Sequence, residues 1–236
     1  MELYYDLHMH SCLSPCGDEL MTPANIAGMA YIKGLQLIAL TDHNTCRNCG
    51  PFLKYAADYG ITAIPGMELE TSEEIHVLCL FSNLDDALSW DGFVHGHLLK
   101  VPNRPDIFGE QVLCGYDDSP CGIEDNLLLV STDISFSDVY DLLIPFHGVM
   151  IPAHIERPAN SMLAALGQVP PDSKFRCFEI KDIGRLHEVR RGNPYLNDCR
   201  VIIDSDAHYL ENIHEPEYKL VVEENSPECV LETLTR

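Results

Sequence analysis

Histidines and carboxylates gather at a few places in this 236-residue chain: Asp6-Leu7-His8-Met9-His10, Thr41-Asp42-His43, Glu68, Glu74-Ile75-His76 and Asp204-Ser205-Asp206-Ala207-His208. With Pro152-Ala153-His154 and Asp18 they supply nine candidate metal ligands: His8, His10, Asp18, His43, Glu68, His76, His154, Asp206 and His208. Residues two apart in a strand point the same way, so Asp6, His8 and His10 share one face and two imidazoles can reach one ion. The same parity groups Asp204 with Asp206 and His208, and Glu74 with His76. Burying so many titratable groups without a cation costs several kcal/mol each, which argues against a merely structural cluster.

Mixed imidazole and carboxylate ligands suit zinc, manganese or iron, whereas magnesium and calcium prefer all-oxygen shells. Two or three such ions a few ångströms apart acidify a bridging water and clamp the oxygens of a phosphoryl group. Phosphate ester hydrolysis is therefore the expected chemistry, with amide or deaminase chemistry, which usually needs fewer ligands, as the minor alternative. His95-Gly96-His97 also spells the two-apart pair, but residues 91–100 read as helix, where the rings splay by about 200°. His147, His187 and His214 stand alone and read as surface or structural. Asp18 has a competing reading as an ordinary turn residue, and Cys16 is its rival as a ligand.

The elements that must carry these residues alternate. Strands are expected at residues 3–10, 35–41, 61–65, 74–81, 149–154, 175–180 and 201–206, with helices near 23–33 and 51–59. Thr22 supplies an N-cap, Pro23 a first helical residue and Gly34 a stop. Repeated βα units imply an α/β fold with a parallel sheet. Seven units suit a distorted seven-stranded (β/α)7 TIM-like barrel, with ligands at the carboxyl ends of the strands. An open doubly wound sheet competes, but it does not converge ligands from six strands on one point. Residues 83–145 break the rhythm with a helix at 84–100, a hairpin at 111–130 and a helix from Ser135. They read as an insertion between the fourth and fifth strands, near the barrel mouth, and a candidate lid. The whole of residues 1–236 is taken as one domain.

Acidic residues outnumber basic ones 37 to 15, for a net charge of −22. Such a surface repels polyanions, so duplex nucleic acid is not expected as a partner, while a small anion in one positive pocket is. No run reaches the roughly 18 apolar residues of a membrane span, and the N-terminus has no leader pattern, so the expected location is cytoplasmic, away from membranes. The ten Cys then read as thiols. Cys12, Cys16, Cys46 and Cys49 leave open a separate zinc site or a redox-labile pairing.

The ordered set His8-Met9-His10-Ser11, Thr41-Asp42-His43, Gly66-Met67-Glu68, His76, His154 and Ser205-Asp206-Ala207-His208 resembles the polymerase and histidinol phosphatase (PHP) superfamily over about residues 3–210. That resemblance implies a distorted seven-stranded barrel with a trinuclear centre. By the same resemblance His8, His10, Glu68 and Asp206 hold one ion, and Glu68, His76 and His154 a second, with Glu68 bridging. Asp18, His43 and His208 would hold the third, although the loop Ser14-Pro15-Cys16-Gly17-Asp18 departs from the family pattern there. For the phosphate, Arg157 in His154-Ile155-Glu156-Arg157 is the first candidate and Arg185 the second, with Arg104 and Lys181 behind; an ion pair is the competing role for Arg157. Asp6, Asp42 and Asp204 read as acceptors that orient imidazoles, and Asn44 as a substrate contact.

Together these readings describe a phosphoesterase using a metal-bound hydroxide on a small phosphorylated substrate, with two or three divalent Zn, Mn or Fe ions. The alternatives are a 5′ nuclease on short single-stranded oligonucleotides and a catalytically silent metal-binding accessory module. A thiol sensor built on the four cysteines is a third.

Overall fold

A computed structural model describes every residue, Met1–Arg236. In chain order it contains β1 (Glu2–Asp6), α1 (Pro23–Lys33), β2 (Leu37–Leu40), α2 (Cys49–Asp58), β3 (Thr62–Glu70), β4 (His76–Leu80) and α3 (Leu84–His97). There follow α4 (Pro105–Phe108), β5 (Val112–Cys114), β6 (Pro120–Ile123), α5 (Phe136–Leu143), β7 (Val149–Pro152) and α6 (Met162–Leu166). The chain ends with β8 (Cys177–Glu179), α7 (Leu186–Gly192), β9 (Arg200–Ile202), β10 (Lys219–Val221) and α8 (Pro227–Thr235).

Local chemistry sets these limits. Thr22 accepts the Asn25 N–H at 3.3 Å, Pro23 opens α1, and Gly34 closes it in the left-handed region at φ 79°, a conformation glycine adopts without a Cβ penalty. β2 reads Leu-Ile-Ala-Leu and every residue is buried, as a parallel strand covered on both faces requires.

Six strands form one sheet in the order β10-β1-β2-β3-β4-β7, and β8 and β9 form a parallel pair. β1, β2 and β3 run parallel, while β4 runs antiparallel to both β3 and β7. The expected unbroken βα repetition fails here for a physical reason. Only Thr71–Ile75 joins β3 to β4, too short for a crossover, so the link is a hairpin. The reversal leaves the site intact: His76 is the first residue of β4 and so lies on the rim that the carboxyl ends of the other strands reach. Ile155 N–H donates to Glu179 O at 3.1 Å, and His10 N–H to Ala207 O at 2.9 Å. The sheet thus curls towards β8 and β9 as a mixed α/β half-barrel, compatible with a TIM-like barrel.

Alternating residues build apolar layers on both sheet faces. Ile38, Leu40, Val77 and Cys79 pack with Phe52, Trp90 and Phe178. Leu37, Ala39, Leu78 and Leu80 pack with Val230, Leu231 and Leu234 of α8. Within residues 83–145, Gln111 Nε2 donates to the carbonyls of Glu124 and Asn126, both at 2.7 Å, and Asp118 accepts from Thr22 Oγ1 at 2.6 Å and Ala24 N at 3.0 Å. The tip of the β5–β6 hairpin therefore caps α1. No helix is long and apolar enough to cross a membrane.

Candidate metal centre

Glu68, near the end of β3, is 1 % exposed and faces five imidazoles. Its Oε1 lies 2.8 Å from His76 Nδ1, 3.1 Å from His154 Nε2 and 3.3 Å from His8 Nε2. Its Oε2 lies 3.1 Å from His43 Nδ1 and 3.2 Å from His10 Nε2. Asp206 Oδ1 closes one side, 3.5 Å from His8 Nε2 and 3.3 Å from His10 Nε2, and those two nitrogens are 3.1 Å apart.

Three groups place one ligand atom per residue within 4.8 Å of one another: His8, His10, Glu68 and Asp206; His43, Glu68 and His76; and His10, His43 and His208. Donor atoms around an ion at bond lengths of about 2.0–2.2 Å sit roughly 3–3.5 Å apart, which is the spacing found in the first group. His43 Nδ1 is buried and makes no hydrogen bond although Glu68 Oε2 is 3.1 Å away. Two ligand atoms converging without a shared proton fit a cation between them, so the residues present suit divalent metal.

Burial opposes charge on His8, but Glu179, Glu68 and Asp206 hold its imidazole well above the ordinary range. Burial likewise opposes charge on His76, where Glu68 and Glu70 prevail and push it up to about 9. Glu68 also resists burial, and His76, His8 and His43 hold its carboxyl well below the usual range. Burial and the nearby His10 act the other way on His43, lowered well below normal, and on His208, lowered to about 4. Two candidate ligands, His154 at φ 29° and Asp206 at φ 52°, stand in the left-handed region, strain of the kind that functional sites hold in place.

Eight of the nine candidate ligands meet here. Asp18 adjoins through its backbone, its N–H donating to His208 O at 2.9 Å, while its carboxylate accepts the Leu20 N–H at 2.9 Å. His10 stands in its place beside His43 and His208. Arg157 reaches the centre, Nη1 donating to Asp206 Oδ2 at 2.6 Å. Arg185 does not line the pocket and donates to Glu156 O at 3.0 Å. Lys181 donates to Ser205 O, and Arg104 pairs with Asp106.

The three aspartates do not touch imidazoles. Asp6 accepts from Ser205 N and His214 N, Asp204 from Leu7 N, and Asp42 from Ser11 and Ser14, so they brace the loops. Asp42 acts one step removed, because Ser14 Oγ lies 3.0 Å from His10 Nδ1. Asn44 is structural as well, bonding Leu128 O, Val130 O and Glu70 N. The four singled-out cysteines do not converge: Cys46 and Cys49 join the apolar layer, Cys16 is exposed, and Cys12 lies 3.5 Å from Cys114. The sequence reading overlooked Glu179, fully buried, which bonds His8 Nδ1 at 3.0 Å and accepts the His154 N–H at 2.9 Å. A lone acid ending the apolar run Cys177-Phe178-Glu179 was its signal.

The centre opens on a pocket of about 260 Å³ whose walls include Leu129, Arg157 and Asn160. A family model described as PHP domain matches residues 6–139. The chain is 34% identical over 88 residues to an uncharacterized protein, MJ1587, of Methanocaldococcus jannaschii, a match covering 34% of this chain and 51% of that one. It is 35% identical over 79 residues to a 5′-3′ exoribonuclease of Haemophilus influenzae, covering 32% of this chain and 28% of the relative. The chain thus spans about half or less of the curated relatives it matches. The lesion-specific endonuclease PfuEndoQ of Pyrococcus furiosus superposes with a TM-score of 0.70 at 18% identity, covering 100% of this chain and 56% of that one.

Proposed function

This chain belongs to the PHP domain family, and we propose that its metal centre hydrolyses a phosphate ester whose reacting phosphate enters the pocket beside Arg157. The observation that carries this reading is Glu68, whose two oxygens lie within 2.8 to 3.3 Å of five imidazole nitrogens and can be shared between ions. Two or three divalent ions, of zinc, manganese or iron, would supply Lewis acidity to water and to the phosphoryl oxygens.

The chain's own groups do the rest. Glu179 fixes the His8 ring and the His154 backbone from behind, the usual service of a carboxylate to a ligand histidine. Arg157, paired with Asp206 and with 45% of its side chain exposed, is placed to exchange that carboxylate for a phosphate oxygen. Water bonds to phosphorus as the P–O bond to the leaving alcohol breaks, giving phosphate and alcohol. Residues 83–145, read as an insertion, contribute Leu129 to the wall, and β1, β2, β3, β4, β7, β8 and β9 are read as the seven strands of a distorted barrel.

A small phosphate ester is the first reading. A nuclease is the second, supported by the identity shared with the exoribonuclease relative. The test is a panel of phosphate esters on metal-loaded and chelator-stripped protein. His8→Ala and Asp206→Asn should lose metal and turnover together while the far-ultraviolet circular dichroism stays unchanged; full turnover by either variant would refute the assignment.

A further inference from the structure

Charge is unevenly spread over this acidic chain. Residues 157–200 hold eight Lys and Arg against five Asp and Glu, a net +3, whereas the rest of the chain sums to −25. One of those five acids, Glu179, is buried under His8 and does not face solvent.

The positive sector begins at the metal centre. Glu156, beside Arg157, accepts the N–H groups of Lys181 and Asp182 at 2.8 Å each, and its carbonyl receives Arg185 Nη1 at 3.0 Å. The start of α7 is thereby tied to the loop that carries His154 and Arg157. From there α7 runs for seven residues, about 10 Å at 1.5 Å per residue. His187, Arg190 and Arg191 stand three and four apart, on one helical face. With Leu186, Pro194 and Asn197 they line a surface cleft of about 360 Å³. Arg190 is held by the carbonyls of Leu196 and Cys199 at 3.2 and 2.9 Å, and of the sector's eight Lys and Arg only Arg157 and Lys174 make ion pairs. These cations are left unneutralised in a protein with acid to spare.

We infer that this face of α7 carries the backbone of a single nucleic-acid strand away from the metal centre, so that the ester hydrolysed lies at or near the strand's end. The inference rests on the phosphoester reading and, within it, takes the nuclease over the small ester as the substrate class. Continuity with a centre that acts on phosphoesters favours a nucleic acid over an acidic protein. A strip one helix wide, roughly 10–12 Å, meets the phosphates of one strand.

The experiment uses metal-loaded full chain with p-nitrophenyl phosphate and with 5′-phosphorylated single strands of two and eight nucleotides, across a salt series. Wild-type KM should be lower for the longer strand. In His187→Ala/Arg191→Glu that advantage should vanish, and log(1/KM) should fall with log salt less steeply, by about 0.7 for each phosphate the variant no longer neutralises. Arg191→Lys should keep most of the advantage. A double variant with wild-type length dependence overturns the inference, as does a wild type without any, or competition by polyglutamate equal to that of the longer strand. Absence of p-nitrophenyl phosphate hydrolysis alongside strand cleavage leaves the track supported, whereas no turnover of either substrate overturns the phosphoester reading itself.

Discussion

At the scale of single residues, the centre sets carboxylates against histidines so closely that cation and proton compete for the same nitrogens. His76 is pushed up to about 9 by Glu68 and Glu70 against the pull of burial, so without metal it is charged at pH 7. Its contribution to metal-free stability is full below its unfolded value of about 6.5 and is lost as pH rises through about 9. A metal must displace that proton. Loading at pH 7 should therefore release protons, and affinity should weaken as pH falls; calorimetry in two buffers of different ionisation enthalpy measures the release, and equal heats in both would refute it. Glu179→Gln keeps the shape and removes the charge behind His8. Metal affinity should drop about 10–100-fold with the fold intact, as chelator competition reports; unchanged affinity would show that Glu179 does not position the ligand.

At the scale of elements, precision comes from how closely β2, β3 and β4 approach. A Cβ at Gly66 would lie 2.7 Å from Leu80 Cδ2, 2.9 Å from Cys79 O and 3.2 Å from Thr41 Cγ2. Gly66→Ala should thus part β3 from β4 two residues before Glu68, costing about 1–3 kcal/mol and reducing bound metal. A thermal melt with elemental analysis checks both, and a variant matching wild type in each would show that the strands have room. α1 was legible to the residue because Thr22, Pro23 and Gly34 each have a local job. The candidate ligands His8 and His10 were legible because alternation is local too and carries on just past the end of β1. The parity that grouped Asp6 with His8 and Asp204 with Asp206 did not hold, since both aspartates turn to backbone donors. The direction of β4 was not, since alternation looks the same either way along a strand. Nor was the bracing by Asp6, Asp42 and Asp204, because their backbone partners lie up to 208 residues away. The three-residue β10 and the α8 it precedes lie beyond the last ligand and show little pattern of their own.

At the scale of the whole molecule, negative charge and burial collide in one place. Asp6, Asp42, Glu68, Glu179 and Asp204 are all at most 1 % exposed, and Asp206 stands beside them, in a chain already at −22. Imidazoles answer part of this, since neighbouring acids raise His8, His10 and His76 above the ordinary range against the pull of burial. Burial and neighbouring acids raise the Asp204 carboxyl well above its normal range, which eases part of the repulsion. Divalent cations would answer the rest, and they would bind the assembled rim rather than the unfolded chain, whose candidate ligands are scattered from residue 8 to residue 208. Binding only the folded state stabilises it by RT ln(1 + [L]/Kd), about 2.7 kcal/mol per site at a hundredfold excess over Kd. For a chain of this size that is roughly 5–10 °C in Tm. Chelator stripping should lower Tm by at least that much, and manganese or zinc should restore it. A stripped protein melting at the same temperature would mean that the buried acids are settled without metal, by protons and backbone donors alone.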